Sequence, residues 1–213
     1  MRKAFLFLTL TFAFVFAIDA QVLGYTSMKN FVNNVADTIA DVRIEKRKWG
    51  QMMLSSGVDY RISIPNGESD YKDVKKKYFA VLDDDGKLYV NCRTLRYKRM
   101  KFGSWFAPAL RIGSRIYFSA LPLGSVAGSI FVKEDSQRVS GDVGDAIATS
   151  ALVNKRVCYE LDCKTGKVIF VDTKRMTKLL QIRPEWQKAY LQENDQRAEC
   201  AFRYIKLLQT VKF

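Results

Sequence analysis

Histidine is absent from the 213 residues, and that absence bounds the chemistry first. Ser-His-Asp and Cys-His nucleophile systems, and the usual catalytic zinc sites, depend on an imidazole that titrates near neutrality. Paired carboxylates are still open to such a chain, so a His-independent carboxylate hydrolase is one reading. Most Asp and Glu residues nevertheless fall in turns, such as Asp83-Asp84-Asp85, or on exposed helix faces. Glu160 stands in a strand pattern out of phase with Val157, Tyr159 and Leu161, which sends it to water. No pattern places a carboxylate in an apolar pocket, so we expect no catalytic residue, no metal and no cofactor.

The other reactive groups are two Gly-Lys bends, four cysteines and one run of cations. Asp83-Asp84-Asp85-Gly86 has the look of a calcium loop, but the frame that puts Gly86 sixth opens on Val81 and closes on Cys92. An EF-hand needs alternating acids and a closing Glu there, so a solvated turn is the expectation. Lys164-Thr165-Gly166-Lys167 fails as a phosphate loop, with Leu161 where the first Gly belongs and Val168 after the Lys. Cys92, Cys158, Cys163 and Cys200 allow two disulfides in any of three connectivities, or four free thiols packed as small apolar groups. Cys158 and Cys163 cannot pair along one extended strand, because five residues at about 3.3 Å each overshoot the reach of a disulfide. Cys92 with Cys158 is the preferred pair. Arg93, Arg96, Lys98, Arg99 and Lys101 interleave with Leu95, Tyr97 and Phe102, a pattern that suits recognition of an anion through ion pairs and ring faces. The competing reading is a strand with Leu95 and Tyr97 inward and the cations in water.

The elements that must position these groups are mostly hairpins. Tyr78–Leu82 and Leu88–Val90 flank Asp84-Asp85-Gly86, a three-residue loop whose Gly accepts positive φ. Val157–Asp172 repeats that form, and Ala109–Phe118 makes a third hairpin about Gly113-Ser114. Upstream, Gly24–Val32 reads as a linker and a short helix capped by Ser27. Ile39–Trp49 and Val58–Ile64 alternate as half-buried strands. Residues 119–153 are apolar and small, with Ala120, Gly124 and Gly128 at every fourth position, and again Gly144 and Ala148. That stripe would suit membrane helix pairs, yet each half is shorter than a bilayer span; as soluble structure it lies beside the sheet. Residues 173–210 are helical, with Pro184 opening the second helix. We therefore expect an α+β fold: an antiparallel β-sheet or small barrel built from hairpins, with C-terminal helices.

Met-Arg-Lys followed by an apolar run from Ala4 to Ile18 and then Asp19-Ala20-Gln21 describes a secretory signal peptide over residues 1–20. The mature chain, 21–213, would form one domain. Without Arg2, Lys3 and Asp19 it carries 33 basic and 21 acidic residues, a net charge of +12. Export leaves nucleic acid out as a partner and points to lipid headgroups, lipopolysaccharide, acidic glycans or an acidic protein.

Gly24-Tyr25-Thr26-Ser27 with Asn30-Phe31, Lys77–Val81 with Leu88–Asn91, Tyr117–Val126, and Pro184-Glu185 with Tyr190 and Tyr204–Leu208 together give a resemblance. The chain resembles an uncharacterised family of exported proteins from Bacteroidota-type Gram-negative bacteria. The resemblance implies a compartment, the periplasm, outer membrane or exterior, and no mechanism. The expectation is an exported, non-catalytic binding or structural protein of the cell envelope; the alternatives are membrane association through 119–153 and the carboxylate hydrolase.

Overall fold

Three Gly-containing bends set the sheet. A computed structural model of the chain describes residues 21–40, 42–48, 50–52, 58–64, 71–127, 155–193 and 197–211. Strands β5 (Ala80–Leu82) and β6 (Leu88–Asn91) pair with Ala80 opposite Val90. Gly86 takes φ +76° and the Asp83 carboxylate accepts from the Lys87 N–H at 2.6 Å, so the side chain closes the turn. Strands β9 (Phe106–Ile112) and β10 (Arg115–Ala120) turn through Gly113 at φ +58°. Strands β11 (Val157–Asp162) and β12 (Val168–Phe170) turn through Gly166 at φ +71°. The last bend is one residue longer than its twin, because the Asp162 N–H reaches Lys167 O and leaves Cys163 inside the loop.

All three hairpins lie in one antiparallel sheet. Its order is β12-β11-β10-β9-β6-β5-β1-β2, with β1 at Val22–Tyr25 and β2 at Asp37–Ile39. Strands β3 (Arg43–Lys46) and β4 (Tyr60–Ser63) pair with each other and join β9 where Tyr60 meets Phe106. The barrel alternative is not realised: the sheet stops at β2 and β12. The expected linker at Gly24 is instead β1, a strand held on both sides by β2 and β5. Gly24 hid it, because a strand whose middle side chain is missing shows no alternation. Strand β9 changes neighbours along its length: Phe106–Ala109 run beside β6, and Ala109–Ile112 beside β10. Pro108 sits at the change, where a residue without an N–H costs least.

Alternation along the central strands sends apolar groups to both faces. On one face Leu88, Val90, Ile116, Phe118, Val157, Tyr159 and Leu161 form a core with Phe31, Cys92 and Phe102. It is covered by α1 (Met28–Val32) and by a small ribbon, β7 (Arg96–Tyr97) with β8 (Met100–Lys101). The Ser27 hydroxyl accepts from the Asn30 N–H and caps α1 as expected. On the other face Tyr117 and Cys158 lie under the C-terminal helices, while Val81, Tyr89 and Phe106 lie with Val74 of α2 (Tyr71–Lys77) and Ile62 of β4. Those helices are α3 (Thr173–Leu179), a 3-10 turn (Leu180–Ile182), α4 (Pro184–Leu191) and α5 (Ala198–Gln209). Asp172 caps α3 by accepting from the Arg175 N–H, and Pro184 opens α4. In the small-residue stretch, Ser119 and Ala120 finish β10 and Leu121–Ala127 turn away; residues 128–154 lie outside the described residues. Among the described residues no helix is long and apolar enough to cross a membrane.

A Cβ on Gly24 would stand 2.5 Å from Ile39 Cδ1 and from the Tyr78 ring, and the ring is wedged in the core. Gly24→Ala is expected to lower the unfolding free energy by about 1–3 kcal/mol, read from a urea midpoint. An unchanged midpoint would mean that β1 is not packed this closely.

Candidate functional site

The cationic run leaves the sheet at a fixed point. Buried Asn91 donates through Nδ2 to the carbonyls of Lys75 and Tyr78, and its Oδ1 accepts from the Arg93 N–H at 3.0 Å. The next N–H, that of Cys92, donates to Trp105 O. Leu95 then turns inward, Tyr97 packs on Tyr159 at 5.4 Å between ring centroids, and Phe102 on Tyr159 at 4.8 Å. These three apolar anchors hold a ribbon of only two residues per strand, bent at Lys98 with φ +54°. Arg93, Arg96, Lys98, Arg99 and Lys101 are all exposed, and among the described residues none of the five is ion-paired to a carboxylate. Lys98 Nζ donates to Ser125 Oγ at 3.1 Å. The ribbon thus carries four of the five cations that the sequence singled out, and Arg93 lies just before it.

Behind it the cations are committed to the fold. Arg47 is buried, donates to Val58 O and Gln51 O, and stacks 4.7 Å from the Trp105 ring, which also meets Lys75 at 4.8 Å. Burial lowers the Arg47 pKa and the charge of Asp59 works against it. Trp105 holds φ +98°, a left-handed backbone that an aromatic side chain rarely adopts. The hydrogen bond from Cys92 and the two cations on its ring hold it there.

Among the described residues three carboxylates are buried, and each is hydrogen-bonded. Glu160 does not face water: the face opposite Val157, Tyr159 and Leu161 is the one the helices cover, and the side chain is 3% exposed. Arg175, from the first turn of α3, donates through Nη2 to Oε1 at 2.6 Å and through Nε to Oε2 at 2.8 Å, and Arg115 Nε reaches Oε1 at 3.0 Å. The hydrogen bonds to Glu160 raise the Arg175 pKa. Tyr117, directly opposite Glu160 on β10, is raised by burial and then by that carboxylate. Asp59 is gripped by both Nε and Nη2 of Arg156, whose carbonyl accepts from Ala198 at the start of α5. Asp83 takes the Lys87 N–H and the Tyr89 hydroxyl. Fork-on-carboxylate bonding at Glu160 and Asp59 holds each charge in place against a guanidinium.

Two shallow clefts flank Pro108, where β9 changes partners. One of about 570 Å³ runs past Leu88 and Arg111 to Lys206 and Gln209 of α5, and the other, about 370 Å³, holds Asp59, Arg156 and Ser119. Tyr60, Pro108 and Phe202 line both. Arg111 is already bound to Asn34 Oδ1 and stacked over Phe31, so its charge is committed to the fold. Among the described residues no group of His, Cys, Asp and Glu could hold a metal ion.

The four cysteines are buried free thiols. The Cys92–Cys158 pair is not made, for the two sit on opposite faces of the sheet, one among Val90 and Phe102 and the other beside Tyr117 and Met176. Burial pushes the thiols of Cys92 and Cys158 far up, and that of Cys163 to about 12. The positional alternation of β6 and β11 carried the signal for their separation, but only once strand pairing is known.

In comparison with known proteins, the model of the family of unknown function DUF6563 matches residues 23–212. No curated protein and no solved structure matches the chain.

Glu160→Ala would strand the Arg175 guanidinium under α3, and we expect a loss of about 3 kcal/mol in urea unfolding, with Glu160→Gln costing less. A loss near zero would remove the clamp from the account of the fold. Unfolding in guanidinium without reductant is expected to release four titratable thiols, against almost none in the native chain. A count of two or none would restore the disulfides.

Proposed function

The chain belongs to DUF6563, a family of unknown function, and on that premise we propose that it is an exported, non-catalytic binding protein of the bacterial cell envelope that contacts an anionic surface. The observation that carries this reading is the β7–β8 ribbon with Arg93 just before it: five exposed cations on an aromatic-anchored base, none of them ion-paired to a carboxylate among the described residues. A solvated face elsewhere in the chain is built differently, as at Asp85 with Lys87 or Arg43 with Glu45, where opposite charges pair. Leaving like charges together is destabilising unless something neutralises them, so the arrangement favours a standing anionic partner. A net charge of +12 beyond Ala20 supports the same reading, and the leader-like residues 1–20 support export to the periplasm, outer membrane or exterior. The guanidinium clamps on Asp59 and Glu160, which tie these acids to the fold, favour binding over hydrolysis.

Two measurements test it. Mass spectrometry of the protein recovered from a Gram-negative host is expected to give a chain starting at Gln21, and a retained Met1 would count against export. On a sulfated-polyanion column, replacing Arg93, Arg96, Lys98, Arg99 and Lys101 with Gln is expected to weaken binding roughly a hundredfold or more at low salt. The parent's own affinity should fall as ionic strength shortens the screening length to about 8 Å. Equal retention of parent and variant would dismiss the ribbon as the contact.

A further inference from the structure

The cationic run and the small-residue stretch, far apart in the chain, meet at the tip of the ribbon. Lys98 Nζ donates to Ser125 Oγ at 3.1 Å, and Met100 Sδ stands where a Cβ on Gly124 would come within 2.9 Å of it. Gly124 itself holds φ +56°, so the turn after β10 is shaped to let the thioether lie against bare backbone. Met100 is nevertheless 46% exposed, the one large apolar side chain so exposed on the ribbon, between Arg99 and Lys101. Leu123, beside Gly124, is half-buried.

An apolar side chain held in water at a cationic bend, across the ladder from Tyr97, is poorly matched to a soluble polyanion, which engages charge alone. It is well matched to a bilayer surface, where cations sit among phosphates and a flexible apolar group reaches the acyl boundary. Resting on the anionic-surface reading above, we propose that the bend of the ribbon and the Leu123–Ser125 turn dock on an anionic lipid bilayer. In that pose Arg96, Lys98, Arg99 and Lys101 lie in the phosphate layer, and Met100 lies below them.

The test uses the chain beginning at Gln21, which contains every described residue, in sedimentation with vesicles of phosphatidylglycerol mixed with phosphatidylcholine, beside binding to heparin as the soluble polyanion. The parent is expected to sediment with the mixed vesicles and not with phosphatidylcholine alone. Each ribbon cation replaced by Gln should weaken vesicle binding about fivefold. Met100→Ser should weaken it about tenfold while leaving heparin binding unchanged, and Met100→Leu should behave as the parent, which separates lost apolar contact from a disturbed ribbon. Vesicle binding that Met100→Ser does not alter would overturn the bilayer pose. Binding to heparin but not to vesicles would overturn it too and leave the anionic-surface reading standing. Binding to neither would remove both.

Discussion

Strands β10 and β11 carry buried side chains on both faces, so the sheet has to be covered on both sides, and most other features follow from what supplies the cover. On the first face the cover given by the described residues includes one short helix and a ribbon of four paired residues, packed on the cluster of rings around Tyr159. On the second it is heavy, and it traps a carboxylate. Glu160 is tolerated there because α3 arrives with Arg175 already oriented by the Asp172 cap, so desolvation of the acid is offset by a two-pronged bond and a third donor from Arg115.

The parts of this architecture that sequence shows are those decided locally. Gly86, Gly113 and Gly166 force their bends whatever the rest of the chain does, and the apolar arms beside them can only pair. Asp172, Ser27 and Pro184 mark helix starts through chemistry confined to one turn. What stayed hidden needed a partner distant in the chain. Strand β1 is invisible without β2 and β5 on its flanks, since Gly24 contributes no side chain to read. Glu160 was placed on the correct face, opposite Tyr159, but the meaning of that face depended on where the C-terminal helices come to rest. That Cys92 and Cys158 do not meet is decided by the pairing order, which puts them on opposite sides of the sheet.

The candidate site divides the same way. Its charge was legible as five cations in nine residues, and the inward turn of Leu95 and Tyr97 as the strand reading that competes with an anion site. Its shape was not, because the contact of Lys98 with Ser125 spans 27 positions and that of Met100 with Gly124 depends on a left-handed backbone. The stacking of Arg47 and Lys75 on Trp105 was equally out of reach, for three separate elements supply it. Cations of identical type therefore carry two physical states here, desolvated and bonded at Arg47, hydrated at the ribbon, and composition alone treats them alike.

A sheet that never closes has to finish somewhere, and β2 finishes it in three residues. Asp37 and Thr38 point outward, and Lys77 crosses to Asp37 at 3.4 Å, so the border offers a neighbouring molecule charge and only a short stretch of free backbone. At the far margin β12 is equally brief. Selvages this short leave one copy little main chain to knit onto another.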